Sequence, residues 1–160
     1  MNTKVKVGDK APDFSLFDSD KNKQSLSDYR GSNVLLLFFP LAFTSVCTAE
    51  LCDTRDNMNM YEKLNAKPIG ISVDSLHSLK KFKEEQGLNF PLLSDFNKNV
   101  SELYGSLYEE FGFGMKGVSK RSAFLIDSEG IVQYAEVLEN AWQIPDFQAI
   151  QKTLSELHPR

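Results

Sequence analysis

The sequence predicts an α/β sandwich, a central mixed sheet flanked by helices, and three observations carry that expectation. An unbroken apolar run, NVLLLFFP at 33–40, reads as a central strand buried on both faces. Strand patterns alternate with amphipathic helical patterns through the first two thirds of the chain, which is the signature of parallel strands joined by crossover helices. Near the carboxyl end, SAFLID and IVQYAEV are separated by a short turn and read as an antiparallel hairpin.

Each element follows from local chemistry. The run at 33–40 has no polar face for water and stops at Pro40, which has no N–H to give to a ladder. Residues 45–64 place Leu51, Met58 and Tyr61 near helical spacing among charges, and predict one long helix. KPIGISV, at 67–73, is the next strand. Asp74 and Ser75 are capping residues for a helix with Leu79 and Phe82 inward and Lys80, Lys81 and Lys83 outward, closed by Gly87. The hairpin strands, 122–127 and 131–137, turn through Ser128, Glu129 and Gly130. A last helix after Pro145 has Phe147, Ile150, Leu154 and Leu157 at core spacing. Residues 104–121, with four glycines and several aromatics, fit neither period and are expected to form a mobile loop bordering the site. The order strand, helix, strand, helix, hairpin, helix is the thioredoxin-like plan.

The 160 residues carry 18 Lys and Arg against 22 Asp and Glu, a net charge of −4, and predict a single domain over 1–160 without repeats or linkers. A chain of this length buries roughly 70% of its unfolded surface, so the core needs no disulfide or metal staple. An acidic balance without a block of Lys or Arg speaks against a nucleic-acid surface. The run at 33–40 is far short of the roughly 20 residues that span a bilayer. The amino-terminal MNTKVKVGDKAPDF has no apolar stretch to act as an export signal, so the expectation is a cytoplasmic protein that does not touch membranes. No phosphate-binding glycine motif is present, and two thiols at C-x4-C lack the second ligand pair of a zinc site, so neither cofactor nor metal is expected.

Cys47 and Cys52 are too few and too close for a disulfide framework, and read as chemistry. Pro40, Thr44 and Cys47 form P-x-x-x-T-x-x-C where the central strand hands over to the long helix. A cysteine in the first helical turn meets unpaired N–H groups and the positive end of the macrodipole, which favour its thiolate. Thr44, just before that turn, can cap it while presenting a hydroxyl to whatever approaches the sulfur. Arg121, at the start of SAFLID, would add a permanent charge. A thiolate that displaces one oxygen of a peroxide in line passes charge to the departing oxygen. The Cys47 N–H, the Thr44 hydroxyl and the Arg121 guanidinium, fixed along that path, would stabilise the transition state more than the ground state. The product is a sulfenic acid, which a nearby thiol condenses to a disulfide. His77 opens a helix and His158 lies in the last three residues; neither is read as a partner for the thiol.

With its GDKAPDF opening, its P-x-x-x-T-x-x-C signature and the downstream arginine, the chain resembles the peroxiredoxins over nearly its whole length. The resemblance implies that Cys47 is the peroxidatic cysteine, that Thr44 and Arg121 activate it and hold the peroxide, and that Pro40 and Glu50 belong to the substrate pocket. Pro40 would shield the sulfur from solvent, and Glu50 would orient an arginine. The C-x4-C pair is similar to the bacterioferritin-comigratory or peroxiredoxin Q group, which implies Cys52 as the resolving cysteine. PLAFTSVC is more like the E-type alkyl hydroperoxide reductases or the typical two-cysteine members. Those two-cysteine members have proline where this chain has Thr48, and resolve with a later cysteine, whereas none follows Cys52. The resemblance further implies hydrogen peroxide or an organic hydroperoxide as substrate, thioredoxin or another dithiol as electron donor, and a monomer or homodimer. A one-cysteine peroxidase resolved by an external thiol and a redox-sensing adaptor stand as alternatives. A general disulfide oxidoreductase would need C-x-x-C at the junction.

Overall fold

The computed structural model describes residues 5–157; His158 lies outside them. The chain starts with a small antiparallel ribbon, β1 (Ser15–Phe17) and β2 (Lys23–Ser25). It then enters the central strand β3 (Asn33–Phe38) and passes through α1 (Ser45–Asp56) and α2 (Met58–Lys63) to β4 (Ala66–Ser72). From there α3 (Leu76–Gln86), β5 (Leu92–Ser94) and α4 (Asn99–Leu103) lead to the hairpin β6 (Ser122–Ile126) and β7 (Val132–Val137), and α5 (Phe147–Leu157) closes the fold.

Five strands form one sheet in the order β5-β4-β3-β6-β7. β3 pairs parallel with β4 and antiparallel with β6, so the sheet is mixed about its central strand. Every residue of β3 is buried, because helices or loops cover both faces. Alternation sends Leu35 and Leu37 to one side, against Leu51 of α1, Leu79 and Phe82 of α3, and Ile150 and Leu154 of α5. Val34, Leu36 and Phe38 point the other way, against Phe14, Val100, Tyr104 and Phe124.

The helix expected over 45–64 is two helices, broken at Asn57. No proline or glycine marks the break. Asn57 sits at φ −107°, ψ 15°, and its side-chain amide donates to the Asp53 carbonyl at 2.8 Å, competing for the helix's own acceptors. α3 is capped by Ser75, whose hydroxyl accepts from the Ser78 N–H, and closes at Gly87 in the left-handed conformation. Asp74 does not cap it; its carboxylate accepts from the Ala42 N–H and the Ser72 hydroxyl instead. The β6–β7 turn is organised by Asp127, which accepts from the N–H groups of Glu129 and Ile131. β1, β2, β5 and α4 are additional to the elements that the sequence predicts. Among the described residues, no helix is long and apolar enough to cross a membrane.

Candidate active site

β3 delivers the chain to the end of the sheet at its centre. Beyond Phe38, the Phe39 N–H still donates to the Ile71 carbonyl, and the chain then turns through 40–44. Two anchors shape that turn. Asp74 Oδ2 takes the Ala42 N–H at 2.8 Å, tying the turn to the end of β4. Phe43 adopts φ 68°, a left-handed conformation that costs a residue with a Cβ roughly 1–2 kcal/mol, and its ring lies edge-on to Phe82 at 5.1 Å.

Thr44 occupies the N-cap of α1 with extended backbone angles, but its side chain makes no capping bond. Its hydroxyl donates to the Leu41 carbonyl at 2.9 Å. The proton is therefore committed, and what the oxygen offers to its surroundings is its lone pairs. The first helical bond runs from the Thr48 N–H to the Thr44 carbonyl, so the N–H of Cys47 has no acceptor within the helix. Cys47 is fully buried.

Arg121 stands immediately before β6. Because Ser122 lies opposite Phe38, it sits at the same end of the sheet as the start of α1. It is only 2% exposed and uses three edges of its guanidinium. Nη2 donates to Cys47 Sγ at 3.1 Å, Nη1 to Glu50 Oε1 at 2.7 Å, and Nε to the Ala141 carbonyl at 2.9 Å. Burial works against the charge, but Glu50 and Cys47 outweigh it and hold the guanidinium protonated. Glu50 is fully buried, and its second oxygen, Oε2, has no hydrogen-bond partner among the described residues. Burial pushes its carboxyl up to about 7, against the opposing pull of Arg121.

A cavity of about 590 Å³ opens beside Arg121. Leu41, Thr44 and Val46 form one wall, Tyr108, Phe111, Phe113 and Met115 another, and Ala141 and Trp142 a third. The segment 104–121 thus borders the site. Neither Pro40 nor Glu50 is in the wall: Pro40 is buried just past the end of β3, and Glu50 is buried on α1, hydrogen-bonded to Arg121. Cys52 faces elsewhere. It is half-buried, a free thiol like Cys47, and its Sγ donates to Gln86 Oε1 at the end of α3, at 3.5 Å. Sequence reasoning missed Asp74 as the anchor of the turn, the Ala141 carbonyl on Arg121, and Trp142 in the cavity wall. A backbone carbonyl leaves no mark in a sequence, and Trp142, 78% exposed, lies in no periodic segment that could have placed it.

Residues 7–135 match the family model described as AhpC/TSA family. Peroxiredoxin Bcp of Escherichia coli is 40% identical over 132 residues, covering 81% of this chain and 84% of its own. Alkyl hydroperoxide reductase E of Mycobacterium tuberculosis is 40% identical over 136 residues, covering 83% and 86%. The crystal structure of peroxidoxin BcpB from Mycobacterium tuberculosis superposes with a TM-score of 0.86 at 29% identity, over 97% of this chain and 99% of that one. The mixed sheet and its helices are the thioredoxin-like fold of these proteins. Since the match runs from the turn before β1 to the last strand of the sheet, and takes in the buried thiol and the arginine upon it, the chain belongs to the AhpC/TSA family: it is a peroxiredoxin, an enzyme that reduces peroxides with a cysteine thiol.

Proposed function

We propose that Cys47 attacks the peroxide, that Thr44 and Arg121 hold it in line, and that Cys52 resolves the product as an intramolecular disulfide, which thioredoxin or another dithiol then reduces. The observation that carries this reading is the 3.1 Å contact from Arg121 Nη2 to Cys47 Sγ, made by a guanidinium whose other edges are pinned by Glu50 and Ala141. A charge fixed that way needs no reorganisation as the reaction proceeds. Glu50 acts here as the positioning residue for Arg121.

In the attack, Cys47 Sγ bonds to the near oxygen of the peroxide and the O–O bond breaks. Thr44, whose own proton is held by Leu41, accepts the hydrogen bond of the peroxide O–H and so orients the near oxygen toward sulfur. The Cys47 N–H, which has no acceptor within α1, and Arg121 donate to the oxygens as negative charge moves away from sulfur. The cavity walls of Leu41, Val46, Phe111, Met115 and Trp142 favour organic hydroperoxides, whose carbon chains would be withdrawn from water there.

A second reading is favoured by one observation: the Cys52 thiol is bonded to Gln86, and α1 runs unbroken from Ser45 to Asp56 between the two sulfurs. Under it, an external thiol resolves Cys47 directly. Steady-state peroxide consumption with thioredoxin separates the two. Cys47→Ser should abolish turnover, whereas Cys52→Ser should leave the first attack nearly unchanged, stop turnover and let sulfenic acid accumulate. Normal turnover of Cys52→Ser with an external thiol would establish the second reading.

A further inference from the structure

Arg121 brings one positive charge to two groups that can each carry a negative one, Cys47 Sγ at 3.1 Å and Glu50 Oε1 at 2.7 Å. All three are buried. Away from water, a second anion facing a single cation is costly, so one of the two is expected to hold a proton. Helix α1 decides which. Cys47 lies in its first turn, among N–H groups without helical acceptors, while Glu50 lies beyond that turn, where the field of the helix end has faded.

Glu50 is built for the other role. One of its oxygens suffices to fix Arg121, and Oε2 has no hydrogen-bond partner, donor or acceptor, among the described residues. Burial already pushes this carboxyl up to about 7. The other titratable or charged groups near the cluster are Tyr61 of α2, with Asp53 beyond it, and, in the cavity wall, Tyr108, Glu110 and Glu139. Burial raises both phenols above their ordinary range, so neither takes up the proton near neutrality.

We infer that Glu50 is the proton reservoir of the reaction: Oε2 carries a proton while Cys47 is a thiolate and releases it once Cys47 has been oxidised. This rests on the reading of Cys47 as the attacking thiolate. Sulfur loses two electrons in forming its bond to oxygen, the peroxide gains them as the O–O bond breaks, and the departing oxygen leaves as hydroxide or alkoxide. The Oε2 proton neutralises that base to water or alcohol. Arg121 is then left with the Glu50 carboxylate as its counter-charge in place of the sulfur. When a dithiol reduces the enzyme, the proton freed as Cys47 returns to thiolate goes back to Oε2.

The test counts protons. Reduced full-length enzyme, shown to hold Cys47 as thiolate by ultraviolet absorbance, is mixed rapidly with hydrogen peroxide in weakly buffered solution with an indicator dye, and sulfenic acid is counted by chemical trapping. Without an internal donor, each sulfenic acid formed from a thiolate takes one proton from the medium. The wild type should take up close to none, and Glu50→Gln, which keeps an oxygen for Arg121, should take up one. An infrared difference spectrum of the wild type should show loss of a protonated-carboxyl band on oxidation, a measurement that stands even if the variant folds poorly. Uptake of one proton by the wild type, no uptake by Glu50→Gln, absence of the carboxyl band, or a resting thiol at Cys47 would each overturn the inference. Peroxide consumption by Cys47→Ser would instead overturn the underlying assignment of the attacking thiol.

Discussion

Arg121 shows what a planar fork does that a point charge cannot. Its three acceptors, Cys47 Sγ, Glu50 Oε1 and the Ala141 carbonyl, are reached from three nitrogens of one rigid group. Arg121→Lys keeps the charge and loses that geometry. If the contact to sulfur acts like an oxyanion-hole donor, peroxide attack should slow by roughly 10²- to 10³-fold, measured by stopped flow, with the fold retained. Arg121→Ala should behave differently, since it leaves Glu50 Oε1 and Cys47 Sγ buried without their donor; a loss of about 1 to 3 kcal/mol in denaturant unfolding is expected in addition to the slower attack. That Arg121 would meet Cys47 and Glu50 was legible only through the family resemblance that the P-x-x-x-T-x-x-C signature carries, and both contacts are made by side chains, which a sequence displays. Asp74 was not, because at a helix start its cap propensity looks the same whether it bonds its own helix or, as here, the Ala42 N–H of a different segment.

At the scale of elements, α1 holds its two cysteines apart. On an ideal helix, residues five apart have Cα atoms roughly 8.6 Å from each other and side chains pointing about 140° apart. A disulfide tolerates about 7 Å at most. A bond between Cys47 and Cys52 therefore requires the start of α1 to open. Hydrogen exchange should show amides from Cys47 to Asp53 losing protection in the disulfide form, while β3 keeps its own. Unchanged protection in α1 would point to an external resolving thiol. The elements read correctly from sequence, β3, β4, α3, the hairpin and α5, are those long enough to show a period. β1, β2 and β5 are three residues each and α4 is five, too short for alternation or helical spacing to register. The break at Asn57 was hidden because asparagine is tolerated within helices as well as at their ends.

For the molecule as a whole, the buried Glu50 makes stability depend on pH. Its carboxyl is raised from an ordinary 4.5 to about 7 by burial, so between these values the folded protein binds more protons than the unfolded chain. Stability contributed by the neutral form is then present below pH 4.5 and is lost as pH rises through about 7, with a slope of up to about 1.4 kcal/mol per pH unit. Denaturant midpoints across this window should fall with rising pH for the wild type, and the fall should flatten in Glu50→Gln. A final consequence comes from where the cavity wall is rooted. Thr44 and Val46, at the start of α1, line the cavity beside Arg121, and they belong to the same turn that would have to open for Cys47 to reach Cys52. The two events need these residues in different places. Under the proposed resolution by Cys52, the cavity wall at the start of α1 would be dismantled while the disulfide persists, and a second oxidant would find nothing there to hold it. On that reading the protein would work as a turnstile, admitting one peroxide and swinging back only when a reductant has passed.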